Sequence, residues 1–175
     1  MRPLAWCSQP RDSTASPEGA LVFSQRHFQR RGDEVRLRLD AHERLLLSEL
    51  LDELERLLDD PDDPELSRLF PPAYSEPADD EQYRSLVRDQ LVSGRSKALA
   101  TVRKTLVAET LDLEQADQWL RALNDMRLVL GTRWDVTEDL DYGKLDVDEP
   151  RGRELAVYGY LSWLQEQLVE ALAPT

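Results

Sequence analysis

The chain has 175 residues, 33% of them charged, and a formal net charge of −13. That size fits one domain, long enough to bury about 70% of the surface its unfolded chain would expose. The acidity argues against non-specific attraction to nucleic acid or to anionic membrane. The charge is unevenly spread: residues 1–40 hold seven Arg against five acids, and the remainder holds fifteen Lys and Arg against thirty acids.

Residues 1–24 contain Pro3, Pro10, Pro17 and Gly19 among Ser and Thr, with no sustained period, and read as a flexible extension. They carry the single cysteine, Cys7, so neither an intramolecular disulfide nor a cysteine-rich zinc site is available. Cys7 is the one candidate redox residue, and its neighbours Trp6 and Ser8 do nothing to favour the thiolate. No apolar run of signal-peptide or membrane-spanning length occurs, which predicts a cytoplasmic protein without a membrane role.

Residues 26–39 have the pattern of a β-hairpin. Val35, Leu37 and Leu39 alternate with Arg36 and Arg38 about a Gly32-Asp33 turn. A lone hairpin is marginal in water, so its apolar face has to rest on helices. Arg26, Arg30, Arg31, Arg36 and Arg38 make this the basic patch of the chain, suited to an acidic partner surface. Nothing in it matches a helix-turn-helix or zinc-finger reader, so direct DNA contact is disfavoured.

A first helix follows at about 41–58, opened by Asp40 and Glu43 in a capping-box arrangement and filled by Leu47, Leu50, Leu51, Leu54, Leu57 and Leu58. An acidic, proline-rich connection runs from 59 to 80, with a helical turn at Glu65–Leu69. The carboxylates Asp59, Asp60, Asp62 and Asp63 lack calcium-loop spacing and read as solvated. A long helix at about 80–107 places Tyr83, Val87, Leu91, Gly94, Ala98 and Val102 on one face, expected to be core. Arg84, Arg88 and Arg95 form a thin basic stripe beside it.

The best-specified helix is 113–130. Ala116, Trp119, Leu120, Leu123, Met126, Arg127 and Leu130 recur at three- and four-residue steps, Asp112 suits the N-cap, and Gly131 suits a left-handed residue after the last turn. A loop at 132–151 and a last helix at about 152–172 complete a mainly α bundle of four to five helices carrying an N-terminal hairpin, with residues 25–175 as one helical domain.

Catalytic and metal signals are weak. His27 and His42, the two histidines, read as surface or cap residues, and no nucleophile elbow is present. Arg127 stands out because it lies within the apolar stripe, and a half-buried guanidinium needs acceptors. Asn124 on its own helix, with Gln165 and Glu166 on the last, are the expected members of a structural polar lock. These features predict no enzyme, no cofactor and no metal site.

Three blocks, LLDELERLLDDPDDPELSRLFPPAY (50–74), WLRALNDMRLVLGTR (119–133) and YGYLSWLQEQLVEAL (158–172), resemble in order an actinobacterial family catalogued as a domain of unknown function, whose genes commonly neighbour that of the Clp adaptor ClpS. The resemblance covers residues 26–172. The family includes an oxidative stress regulator that acts on transcription with a sigma factor and is linked to cysteine synthesis. The resemblance therefore implies a regulator working through protein partners such as a sigma factor or RNA polymerase. An accessory role in Clp proteolysis is the alternative, and an unrecognised enzyme built around Arg127 is the third class. With Cys7 alone, and outside the resembling region, a two-cysteine switch within one chain cannot operate here.

Overall fold

The computed structural model describes residues 26–137 and 146–173. In chain order it holds β1 (Phe28–Arg31), β2 (Glu34–Leu37), α1 (Ala41–Leu58), a 3-10 turn (Pro64–Leu66), α2 (Pro77–Thr105), β3 (Thr110–Asp112), α3 (Leu113–Arg133) and α4 (Pro150–Leu172). It is a four-helix arrangement with an N-terminal antiparallel hairpin. Residues 1–24 and Cys7 lie outside the described residues.

The helix starts follow from local chemistry. The Asp40 side chain accepts from the backbone N–H groups of His42 and Glu43, while Glu43 reaches back to the Asp40 N–H. Asp112 and Gln115 form the same reciprocal box on α3. Each box satisfies N–H groups that a helix start leaves open, worth about 1 kcal/mol. Pro77 and Pro150 open α2 and α4 without side-chain caps, their fixed φ suiting a first turn.

The hairpin closes through Gly32, whose φ of +60° is the conformation glycine adopts without steric penalty. It is not isolated. Leu111 pairs with Val35 and Thr110 with Arg36, so β3 makes a three-stranded sheet in the order β1-β2-β3. The inner face gives Phe28, Val35, Leu37 and Leu111 to the core, beside Leu47, Leu51, Leu99, Trp119, Leu123, Leu161, Leu164 and Leu168 of the four helices. Helix α3 is the hub, touching α1, α2, α4, the 3-10 turn and two strands.

Two sequence expectations are corrected. Gly131 is not the residue after the last turn; α3 runs on to Arg133. A Cβ at Gly131 would lie 2.9 Å from an Arg68 guanidinium nitrogen and 3.3 Å from the Tyr158 ring, so the glycine serves a close approach. The left-handed position falls to Asp135, with φ +46°. There Val136 N–H bonds Gly131 O at 2.9 Å and Asp135 N–H bonds Thr132 O at 3.2 Å, the two bonds of a Schellman stop. An aspartate in this conformation carries strain and also places negative charge at the negative helix end. Asp135→Gly should therefore raise stability by about 1 kcal/mol, read as a higher urea midpoint at unchanged slope.

The second correction concerns α2. Only its C-terminal part carries apolar residues into the core, with Ala98, Leu99 and Val102 buried. Tyr83, Leu86 and Leu91 stay exposed, the Tyr83 ring meeting that of Tyr74 in the proline-rich connection edge-on at 5.6 Å.

Candidate functional site

Strand alternation decides which arginines of the basic patch act together. Phe28, Val35 and Leu37 point inward, so Gln29, Arg31, Glu34 and Arg36 share the outer face, with Arg38 following Arg36 on the same side. Arg36 lies between Gln29 on β1 and Thr110 on β3, both uncharged. Arg31 faces Glu34, which in turn faces Asp112, so that end of the sheet is of mixed charge. Arg30 turns to the other side and its guanidinium donates to Gly32 O. Arg26 precedes the strand and is exposed. Among the described residues, none of these five arginines forms an ion pair, and Arg36 with Arg38 makes the basic end of the face.

The second basic stripe is neutralised. Arg84 meets Asp80 at 2.7 Å, Arg88 meets Asp62, and Arg95 meets Asp125 at 2.6 Å. Asp80 also accepts from the Ala73 and Tyr74 N–H groups. Burial pushes its carboxyl up, and these bonds together with Arg84 outweigh that and hold it low. These contacts fasten the proline-rich connection along α2, which is what the acids and arginines of both segments do.

The Arg95–Asp125 pair was not foreseen. Asp125 is 3% exposed on α3, and Arg95 also donates to Leu69 O at 2.9 Å while lying 5.0 Å over the Phe70 ring. Burial pushes the Asp125 carboxyl up, and the attraction of Arg95 offsets this only in part. The signal in the sequence is that Asp125 stands three residues after Ala122 and four before Val129, on the buried stripe.

Arg127 lies where the lock was expected. Its guanidinium donates to Gln165 Oε1, approaches the Tyr158 hydroxyl at 3.5 Å and sits 5.4 Å over the Tyr158 ring. Asn124 is half-buried beside Asp125. Glu166 is exposed. One residue is a 100° step around a helix, which separates Gln165 from Glu166. Arg133 adds a further tie, meeting Glu53 at 2.5 Å and Glu65 at 2.8 Å.

His27 is buried rather than on the surface. Its Nε2 lies 2.7 Å from Glu43 Oε1, its ring is edge-on to Trp163 at 4.8 Å, and Gln167 Oε1 accepts its backbone N–H at 2.7 Å. Burial raises the Tyr160 hydroxyl well above its ordinary range, with the Glu43 charge adding to it. Together these groups clamp the start of β1 to α1 and α4. Among the described residues, no group of three or more His, Cys, Asp or Glu is placed to hold a metal ion. No helix is long and apolar enough to cross a membrane, again among the described residues.

The described residues thus form a helical bundle with a small sheet, held by half-buried arginine ties and showing an arginine-bearing outer face. Residues 25–172 match the family described as Domain of unknown function (DUF2017), and the chain belongs to it. The chain is also 31% identical over 134 residues to a Mycobacterium leprae protein named "Putative oxidative stress regulator AosR". That match covers 66% of this chain and 61% of the relative, less than two thirds of its length. No solved structure matches.

Proposed function

We propose that this protein is a cytoplasmic regulator of the oxidative stress response that acts on transcription through a protein partner, not by catalysis. The observation that carries the reading is the outer face of the sheet. Arg36 and Arg38 hold their charge toward solvent without a carboxylate among the described residues, in a chain of net charge −13 whose α2 arginines find acids. An acidic protein surface is the partner such a face fits, since complementary charge speeds encounter and fixes orientation. The family resemblance supplies the candidates, a sigma factor or RNA polymerase, and the regulatory name of the Mycobacterium leprae relative supports the same direction.

The test is a tagged pull-down from an actinobacterial lysate, with and without peroxide, followed by affinity measurement on the captured partner. Recovery of a sigma factor or RNA polymerase is expected. The pair Arg36→Glu with Arg38→Glu should weaken that binding by about tenfold or more, mostly in the association rate and less so at high salt. Unchanged binding removes the sheet face from the mechanism, and capture of Clp components instead removes the transcriptional reading.

A further inference from the structure

Helix α2 is 29 residues long, about 43 Å at 1.5 Å per residue, and the outer face of its N-terminal half is uncovered among the described residues. Leu86 is 77% exposed and Leu91 is exposed beside it, while Tyr83, also exposed, has its ring edge-on to Tyr74 of the proline-rich connection at 5.6 Å. A Cβ built on Gly94 meets nothing within 4 Å, so one apolar ridge and one open notch occur on the same face, eight residues apart.

We propose that this face is the seam of a homodimer, in which two copies of α2 pack antiparallel about a two-fold axis at Gln90. A two-fold interface must be self-complementary: if residue i meets j, then j meets i. With the axis at Gln90, Leu86 of each copy lies opposite Gly94 of the other, so the ridge fills the notch twice. Val87 then faces Ser93, and Gln90 faces its own symmetry mate, a polar position of the kind that fixes register.

Charge points to the same arrangement. The seam repeats every seven residues through Glu76, Tyr83, Gln90, Lys97 and Lys104, all exposed. Antiparallel pairing sets Glu76 against Lys104 and the Tyr83 ring against Lys97. Parallel pairing would set Glu76 on Glu76, Lys97 on Lys97 and one empty Gly94 notch on another. Lys97 reaches Glu114 at 3.4 Å through a surface pair with both side chains largely exposed, which leaves it accessible to a second copy. Opposed helix dipoles favour the antiparallel sense as well.

The experiment is sedimentation and light scattering on the full chain across a wide concentration range, with engineered cross-links. The parent should be dimeric and Leu86→Glu monomeric with an unchanged far-UV spectrum, since Leu86 makes no core contact. In a Cys7→Ser background, Gln90→Cys should oxidise to a covalent dimer under mild oxidant, and Ser85→Cys, on another face, should not. A monomeric parent at every concentration overturns the proposal. A Leu86→Glu dimer, or equal cross-linking at positions 85 and 90, overturns it too.

Discussion

Replacing Trp119 by alanine should lower the unfolding free energy by about 4 kcal/mol, a large share of the roughly 5–15 kcal/mol that a domain possesses. Trp119 is fully buried at the joint of three elements. Its ring meets Phe28 of the sheet edge-on at 5.8 Å, and its Nε1–H donates to Thr105 Oγ1 on α2 at 2.8 Å. The Thr105 hydroxyl donates onward to Thr101 O at 2.7 Å. Truncation therefore opens a cavity under the sheet and strips the threonine of its donor. Trp119→Phe retains most of the volume and should cost about 1–2 kcal/mol, from the lost hydrogen bond and a smaller void. Urea unfolding followed by far-UV circular dichroism reads both. A Trp119→Ala loss below about 1 kcal/mol would mean that sheet, α2 and α3 are not joined through this ring.

How far the fold was legible tracks how local its causes are. The starts of α1 and α3 were readable because Asp40–Glu43 and Asp112 advertise caps within four residues. Strand β3 was not, since three residues are too few to establish an alternation, and it pairs with the edge of β2. The face of α2 shows why periodicity is ambiguous. A repeating apolar spacing reports that residues share a face, and what covers that face is set by the rest of the fold. Gly131 misled for a related reason, because a missing Cβ serves a tight packing contact as well as a helix stop. In the sheet, the arginines were legible as a group, but only strand pairing separated Arg31, Arg36 and Arg38 from Arg30. Asp125 was missed because an acid in an acidic chain reads as solvent-facing until its place on the stripe is weighed.

Arg95→Met should cost about 3–4 kcal/mol near neutral pH, because it leaves the Asp125 carboxylate buried without its cation. The pH dependence separates this cause from lost packing. Burial already sets the Asp125 pKa above its unfolded value, so the folded protein binds the extra proton and its stability falls as pH rises through the folded pKa. Removing Arg95 takes away the main influence holding that pKa down, which widens the window upward. The deficit of Arg95→Met should therefore shrink as pH is lowered from neutral through the raised folded pKa, where the carboxyl takes up a proton and the buried charge disappears. Asp125→Asn added to Arg95→Met should remove the pH dependence of the deficit and recover part of the stability. Urea midpoints of the parent, the single variant and the double variant at three pH values decide it. A deficit constant across pH would show that Arg95 acts through its contacts with Leu69 and Phe70 instead, the guanidinium serving as a strut between α2 and the proline-rich connection.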